Sequence, residues 1–453
     1  MAESPVHDLL SLDRDVARAV SELRTWRTAM ARQPADHAEQ DAIAATRHVA
    51  GKSTWDGLRA LAPGAAESTL RDALLPWVGT LTLARLTRDE EVEQLEAMAA
   101  PVARYAGDPV GMISWRQAWR GVPTARTTSE TALWLDAAAS AGASLAAIAA
   151  RRADKRMELG RRLGLAHPWE LLTVGDRAHL RAWARRLLDA TEDLARAMAK
   201  ESADGISGAA FVLHDAVARG ASEGWPARLT PRWLQEVVAV PSTGLKVVLP
   251  PLPAALGASS FARALSAFGF ALRDAWAPRA MPFVLSHEPG ARASHRLGFV
   301  LGALPASADW QVRALGIVRR TALAQSRLLG RTLLLEARMS AARLLLGDDA
   351  SPALRDELDE LGPRLFGRPL DARLRGAWPV ARDDEPARFV ALVESHAAAE
   401  DLRDRFDVDW FRNPRAWTHL RAAAASPARE PVDVEALPAR VDALAKAFEG
   451  ALG

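Results

Sequence analysis

The stretch FVLSHEPGARASHRLGFVLGAL, residues 283–304, holds the residue types best suited to chemistry in this chain of 453 residues. His287 and Glu288 stand side by side, after an apolar run and before a pattern of apolar residues with helical spacing. An imidazole nitrogen binds Zn²⁺, and a neighbouring carboxylate can polarise a metal-bound water for attack on a carbonyl group. The pair therefore raises the question of a hydrolytic zinc site.

The spacing of the following residues does not complete such a site. A helix turns about 100° per residue, so a second histidine four positions after the first would share its face and reach the same ion. Ala291 stands at that position. The next histidine, His295, is about 80° around a regular helix from His287 and about 12 Å along it, so the two cannot bind one ion. We expect no bound metal. If zinc does bind, His287 and His295 are the candidate ligands and Glu288 is the candidate catalytic carboxylate.

Pro289 indicates where the helix begins. Proline fits the first turn of a helix but not its middle, because it lacks the amide hydrogen and clashes with the preceding turn. We expect the helix to start near Glu288 and to leave His287 in the loop before it. Glu288 would then stabilise the positive end of the helix dipole rather than activate water.

Helical periodicity dominates the rest of the chain. Residues 12–33 and 89–106 show the spacing of amphipathic helices, and the breaks between helices contain Pro or Gly with small polar residues. No long low-complexity linker interrupts the pattern, so consecutive helices should pack into one or two lobes. The exceptions are EVVAVPSTGLKVVLP at 236–250, where two β-branched runs flank a turn, and MPFVLS at 281–286, a candidate third strand.

The segment RRADKRMELGRRLGLAHPWELL, residues 151–172, resembles one found in helical zinc peptidases of the oligoendopeptidase, thimet oligopeptidase and angiotensin-converting-enzyme type. The family favours Ala where this chain has Gly160, and aromatic residues where it has Leu165 and Trp169. The segment, the β-branched runs and the His-Glu pair also occur in the order typical of the family. Taken by itself, the segment is an amphipathic helix that ends at a glycine cap near Gly164. The matching positions are Arg156, Leu159, Gly160, Leu163, Gly164, Leu165, Trp169 and Leu172.

The resemblance implies a fold. The chain should be mainly α, a large multi-helix body with a small β-element and a two-lobed cleft like that of the zinc peptidases. We divide it into an N-terminal helical region, 1–125, and a helical peptidase-like region, 126–453, with the β-element at 236–286. The two regions should form one continuous body.

The resemblance also implies a third zinc ligand, a Glu from the helix that follows the His-Glu pair. Asp309 comes too early for that role and Glu336 rather late, with no carboxylate between them. The family typically uses tyrosine or histidine donors to stabilise an oxyanion, but the one tyrosine, Tyr105, lies far from the C-terminal third. The site therefore resembles a degenerate His-Glu-x-x-His motif in a pseudoenzyme.

Composition excludes several other classes. The formal net charge is +2, and basic and acidic residues are interspersed. The sequence therefore lacks the clustered basic residues that are typical of nucleic-acid binding. With no cysteine there is neither a disulfide nor a thiolate nucleophile, and no phosphate-binding glycine loop is present. The N-terminus lacks the pattern of a secretory signal, and the apolar run at 139–150 is too short to span a bilayer, so we expect a cytoplasmic protein with no membrane partner.

Residues 396–420, HAAAEDLRDRFDVDWFRNPRAWTHL, alternate aspartates with aromatic residues. A calcium loop would need oxygen ligands at fixed positions closed by a bidentate Glu, and that pattern is absent. We expect a helix that ends near Arg405, followed by a turn whose aromatic side chains dock into the core.

Three functions remain open at this point. The first is a non-catalytic protein of metallopeptidase-like fold that binds a peptide or a protein partner in its cleft and needs no cofactor. The second is an active zinc-dependent peptidase with a non-standard site around His287 and Glu288. The third is a helical structural scaffold unrelated to peptidases. The sequence leaves the oligomeric state, the natural ligand and the pathway open.

Overall fold

The structure is a computed structural model that describes residues 8–62, 64–107, 110–122, 125, 127–202, 225, 245, 247, 257–346, 353–367, 369, 373, 382–426 and 431–452. The helices, numbered in chain order, are α1 (Leu9–Arg32), α2 (Pro34–His37), α3 (Lys52–Ala60), α4 (Ala65–Leu86), α5 (Arg88–Ala99), α6 (Trp115–Gly121), α7 (Thr128–Arg162), α8 (Arg177–Ala190), α9 (Glu192–Ser202), α10 (Ala258–Trp276), α11 (Phe283–Ser286), α12 (Arg292–Ala303), α13 (Ala308–Leu315), α14 (Arg319–Leu346), α15 (Ala353–Phe366), α16 (Glu385–Phe406), α17 (Pro414–Ala424) and α18 (Leu437–Leu452). Short 3₁₀ helices lie at Ala44–Ala50, Pro168–Leu172, Leu304–Ala306 and Trp410–Arg412. Strands β1 (Ala103–Tyr105) and β2 (Gly111–Ile113) pair antiparallel.

The prediction of a mainly helical chain is confirmed. Helix α1 matches the amphipathic pattern of residues 12–33, but the helix predicted at 89–106 ends at Ala99 and gives way to β1. Pro101 explains the difference, because the residue before a proline is driven out of the helical region, and Ala100 is indeed extended at φ −65° and ψ 133°.

The strand predicted at 281–286 is wrong. Phe283–Ser286 forms the single helical turn α11, whose free amide groups are satisfied by a distant side chain. The carboxylate of Asp13 on α1 accepts hydrogen bonds from the backbone nitrogens of Phe283 at 3.0 Å and Val284 at 2.9 Å. This long-range cap overrides the local β propensity of the sequence. The other strand candidate, 236–250, lies almost wholly outside the described residues.

The predicted helix end near Gly164 is confirmed. Gly164 has φ +80°, and the amide of Leu165 donates to the carbonyl of Gly160 at 3.0 Å while that of Gly164 donates to Arg161 at 2.9 Å. This pair of bonds is the Schellman motif. Trp169 then follows in a short 3₁₀ helix and is 2% exposed, so the segment that carries the family resemblance leads from the end of α7 into the core.

The core consists of three clusters of buried apolar side chains. One joins α7, α8, α14, α16 and α18; a second joins α10, α12, α13 and α17; a third joins α1, α3 and α4. Leu163, Leu171 and Val284 belong to the third cluster together with Leu74 of α4, so apolar packing crosses residue 125. The division of the chain at that residue stays a prediction.

Helix α7 contains the apolar run at 139–150. Among the described residues, one helix, Ser129–Arg162, is long and apolar enough to cross a membrane by length and composition, so the short run alone understated its apolar length. That is weak evidence for a membrane span, because 44% of its most apolar window is buried inside the protein.

The C-terminal segment behaves as predicted. Helix α16 ends at Phe406, one residue beyond the predicted end. Trp410 follows in a 3₁₀ turn and is 2% exposed, in the same cluster as α10 and α12. The aromatic residues therefore anchor the turn to the core.

Helices α10 and α12 cross at very short range, and glycines line the crossing. A Cβ atom on Gly298 would lie 2.8 Å from the carbonyl oxygen of Ser266, and one on Gly269 would lie 2.7 Å from that of Leu297. Only glycine permits such close contact between two backbones. This crossing fixes α12, the helix that follows the His-Glu pair.

We predict that Gly298→Ala lowers the free energy of unfolding by about 1–3 kcal/mol, because the added methyl group forces the two helices apart. Urea unfolding followed by circular dichroism measures the change. Gly450→Ala is the matched control, since no atom lies within 4 Å of a Cβ at that helical position. A variant at position 298 as stable as this control would contradict the prediction.

Candidate functional site

His287 lies in extended backbone directly after α11. Its ring stacks on Phe283 with a centroid separation of 4.5 Å, and the indole nitrogen of Trp77 on α4 donates to the His287 carbonyl at 3.2 Å. His287 Nδ1 lies 3.2 Å from the carbonyl oxygen of Phe283 and 2.9 Å from Ser286 Oγ. Because a carbonyl only accepts, Nδ1 carries the hydrogen in that contact and Nε2 is left as the acceptor.

This orientation of His287 is one that metal-binding histidines also use, with the second ring nitrogen held by a carbonyl. A single histidine does not make a zinc site, which needs three protein ligands or more. Burial lowers the pKa of His287, although the charge of Asp274 on α10 acts in the opposite direction. The imidazole is therefore neutral over a wider range of pH than in water.

A tight turn separates His287 from the helix that follows. The amide of Ala291 donates to the carbonyl of Glu288 at 2.9 Å, and Ala291 has the left-handed backbone conformation, φ 48°. Helix α12 thus begins at Arg292 rather than near Glu288 as predicted. A Cβ on Gly290 would lie 2.4 Å from that of Ala387 on α16, so the turn is pressed against that helix.

Glu288 binds the start of α12. Its Oε1 accepts a hydrogen bond from the amide of Ala293 at 2.7 Å, which satisfies one of the free amides of the first turn. Burial raises the pKa of Glu288, against the opposing charge of Arg292. The carboxyl group therefore acts at the helix N-terminus, where a negative charge is favourable.

The guanidinium group of Arg292 lies between two buried carboxylates. Arg292 Nη1 donates to Glu394 Oε1 on α16 at 2.8 Å, and Arg292 Nε lies 3.9 Å from Glu288 Oε1. Arg292 is 3% exposed and both glutamates are 5% exposed. Interactions of this kind are strong in a low-dielectric interior and costly to break.

Two further arginines approach Glu394. Arg296 Nη1 lies 3.8 Å from its Oε2, and Arg440 Nη1 of α18 lies 3.9 Å from its Oε1. Positive side chains from two helices thus surround one carboxylate of α16. The local charge around Glu394 is already compensated by the protein.

His295 is held in a separate cluster. Its Nε2 lies 3.1 Å from Asp384 Oδ2, and Arg388 Nη1 lies 3.4 Å from its Nδ1. A neutral ring satisfies both contacts, with Nε2–H donating to the carboxylate and Nδ1 accepting from the guanidinium. Burial lowers the pKa of His295 despite the opposing effect of Asp384, in agreement with this neutral form.

These surroundings do not fit zinc. Glu288 is engaged with a helix amide, Ala291 stands where a second imidazole would be needed, and both ring nitrogens of His295 are in use. In the part of the chain that the structure describes, no group of three or more His, Asp or Glu side chains could hold a metal ion. The two carboxylates considered for the third ligand are ion-paired elsewhere, Asp309 to Arg319 at 3.0 Å and Glu336 to Arg263 at 3.2 Å.

Sequence reasoning missed the partners of Glu288. Glu394 lies 102 residues after Arg292 in the chain, so no local motif joins them. One signal was present, since Glu394 follows the apolar run Phe389–Val393 in the middle of a helix, where a lone carboxylate needs a partner.

The space around His287 is small. A cavity of about 10 Å³ lies between α1, α10 and the turn before α12, and it is about large enough for one water. An extended peptide does not fit there. Because Phe283–Ser286 is helical, these residues do not offer an edge strand against which an extended peptide could lie. The lining residues are Arg24, Arg273, Asp274, Ser286, His287, Glu288, Ala291, Ala293 and Ser294.

Comparison with solved structures identifies the architecture. A Bacillus anthracis protein described as an oligoendopeptidase F superposes with a TM-score of 0.59 and 10% sequence identity, over 88% of this chain and 82% of that chain. PZ peptidase A, solved with an inhibitor, superposes with a TM-score of 0.62 and 10% identity, over 88% of this chain and 83% of that chain. The fold is that of the helical zinc peptidases. The likeness that the segment at 151–172 indicated is therefore confirmed at the level of fold.

The sequence itself is far from known groups. No family model matches the chain, and no curated protein matches it significantly. At 10% identity, the structural neighbours establish the fold alone. Any activity of this chain has to be argued from its own residues.

We predict that Arg292→Met lowers the free energy of unfolding by about 3–5 kcal/mol, because it removes the buried cation beside Glu288 and the guanidinium that is hydrogen-bonded to Glu394. Adding Glu288→Gln and Glu394→Gln should restore most of the loss by removing both charges. Chemical denaturation of the single and triple variants tests this. Arg405→Met is the control, since the Arg405–Asp401 pair is exposed and should be worth under about 1 kcal/mol. Equal stability of Arg292→Met and the control would contradict the role of this cluster.

His295 also makes stability depend on pH. Its folded pKa is below the ordinary 6.5, so the unfolded chain takes up the proton first and stability is lost as pH falls below about 6.5. His295→Gln should flatten part of this loss, the rest coming from His287 and His396, whose pKa values burial also lowers. Unfolding free energies measured across this pH range test the prediction. An unchanged slope in the variant would show that His295 does not contribute.

Proposed function

We propose that this chain is a non-catalytic protein of metallopeptidase-like fold, and that it binds a peptide or protein partner. The observation that carries the proposal is the buried Arg292 guanidinium between Glu288 and Glu394. A catalytic zinc site needs an open coordination position and a carboxylate free to polarise water. Here the carboxylate that would perform that step is bonded to the amide of Ala293.

The fold supports a peptide or protein as the partner. The two structural neighbours named above are peptidases, and one of them was solved with an inhibitor. A scaffold that positions peptides for cleavage can bind them without the cleavage step, because affinity comes from contacts and not from the metal. The proposed function is therefore peptide recognition without hydrolysis.

The first test measures metal and hydrolysis together. We predict less than stoichiometric zinc in the purified protein, because its ligand positions do not converge, and no effect of a chelator on folding. Any peptide hydrolysis in the preparation should be equal for the wild type, for Glu288→Gln and for the surface control Glu449→Ala. Elemental analysis measures the zinc content, and fluorogenic peptides measure the hydrolysis.

About one tightly bound zinc per chain would contradict the proposal. So would chelator-sensitive hydrolysis that disappears in Glu288→Gln and persists in Glu449→Ala. Either result would instead establish an active peptidase with a non-standard site.

A further inference from the structure

A groove of about 540 Å³ lies where α1 and α5 end and where α6 begins. Its volume falls in the range of about 300–1,000 Å³ that is typical of ligand sites. It shares no lining residue with the small cavity at His287. The lining residues are Ala31, Arg32, Ala99, Pro101, Met112, Ser114, Arg116, Gln117 and Arg120.

The groove is positively charged. Three arginines line it, Arg32 in the last turn of α1 and Arg116 and Arg120 on α6. Arg104 of β1 pairs directly opposite Met112 of β2, so both side chains leave the same face of the hairpin.

These arginines lack acidic partners within the described ranges. Arg116 donates to two backbone carbonyls, Ala31 at 2.7 Å and Leu95 at 3.3 Å. Burial lowers the pKa of Arg116 and the charge of Arg120 lowers it further, with no carboxylate acting against them. Elsewhere in this structure most buried or half-buried arginines meet a carboxylate, as Arg27 does at Glu91. The positive charge of the groove is thus available to a ligand.

Exposed apolar side chains lie beside this charge. Of the seven large apolar residues that are strongly exposed in the described chain, three belong to the hairpin or flank it: Val102, Val110 and Met112. Met112 is 56% exposed and also lines the groove. Apolar groups that cluster with charges are more typical of a binding surface than of plain solvent-facing surface.

We propose that this groove binds a peptide segment that carries clustered negative charge and at least one apolar side chain. Arginines recognise carboxylates and phosphates through paired N–H donors, and Met112 with Pro101 offers an apolar contact beside them. A nucleic acid would need a longer basic track, and a simple anion would not use the exposed apolar residues. The proposal rests on the proposed function, since it names the partner class and the place where a non-catalytic chain would bind it.

The test uses a short fluorescein-labelled peptide of Glu and Leu, with a Gln and Leu peptide as the uncharged control. Fluorescence anisotropy should show binding of the first peptide that weakens as salt rises. The double variant Arg32→Glu with Arg120→Glu should raise its Kd about tenfold or more, because two attractions become repulsions. Met112→Ser should raise it about three- to tenfold by loss of apolar contact.

The matched control is Arg320→Glu with Arg327→Glu, which changes the net charge equally on the exposed side of α14. It should leave the Kd unchanged. A phosphoserine peptide of the same spacing tells which acidic group the groove prefers, and binding of either peptide supports the site.

Several outcomes would overturn the proposal: no binding of either acidic peptide, equal losses in the groove and control variants, or an unchanged Kd in the groove variant. Full displacement by inorganic phosphate, or equal binding of a single-stranded oligonucleotide, would show a general anion site. Mass spectrometry of the peptides after incubation tests separately whether they are cleaved. Cleavage would refute the non-catalytic function whatever the groove variants do.

Discussion

The ion cluster of Arg292, Glu288 and Glu394 is the interaction on which the rest of the central region depends. It joins the start of α12 to the middle of α16, and the neighbouring Arg440 extends it to α18. A buried carboxylate without a cation is expensive, so loss of the guanidinium destabilises the packing of these helices while both carboxylates stay charged. The same cation balances the charge of the two carboxylates, so the packing and the electrostatics of this region depend on one side chain.

The sequence predicted the elements with strong periodicity and local caps. Helix α1, the end of α7 at Gly164 and the end of α16 at Phe406 all follow from short-range patterns, and each was placed within a few residues. The family resemblance correctly gave the fold. Pro101 is a local signal that α5 ends early, which the helical pattern predicted for 89–106 does not include.

The rest depends on contacts that no local pattern contains. The turn α11 forms because Asp13, about 270 residues earlier in the chain, caps its amides. Glu394 on α16 accepts a hydrogen bond from Arg292, and Asp384, just before α16, contacts His295. Both carboxylates lie about 90–100 residues later in the chain than their partners. Motif spacing identifies Ala291 at the position where a second histidine would be needed, but it could not reveal which side chains surround Glu288.

The left-handed conformation of Ala291 separates the backbone of this chain from that of a regular His-Glu-x-x-His helix. In a regular motif both histidines lie on one helix. Here position 291 precedes α12, and the left-handed turn sets the direction of its side chain. A histidine placed there would not share a helical face with His287. Restoring the letters of the motif would therefore not restore its geometry. A regular motif helix here would need a further full turn before Arg292, so the departure from that motif lies in the backbone as well as in the side chains.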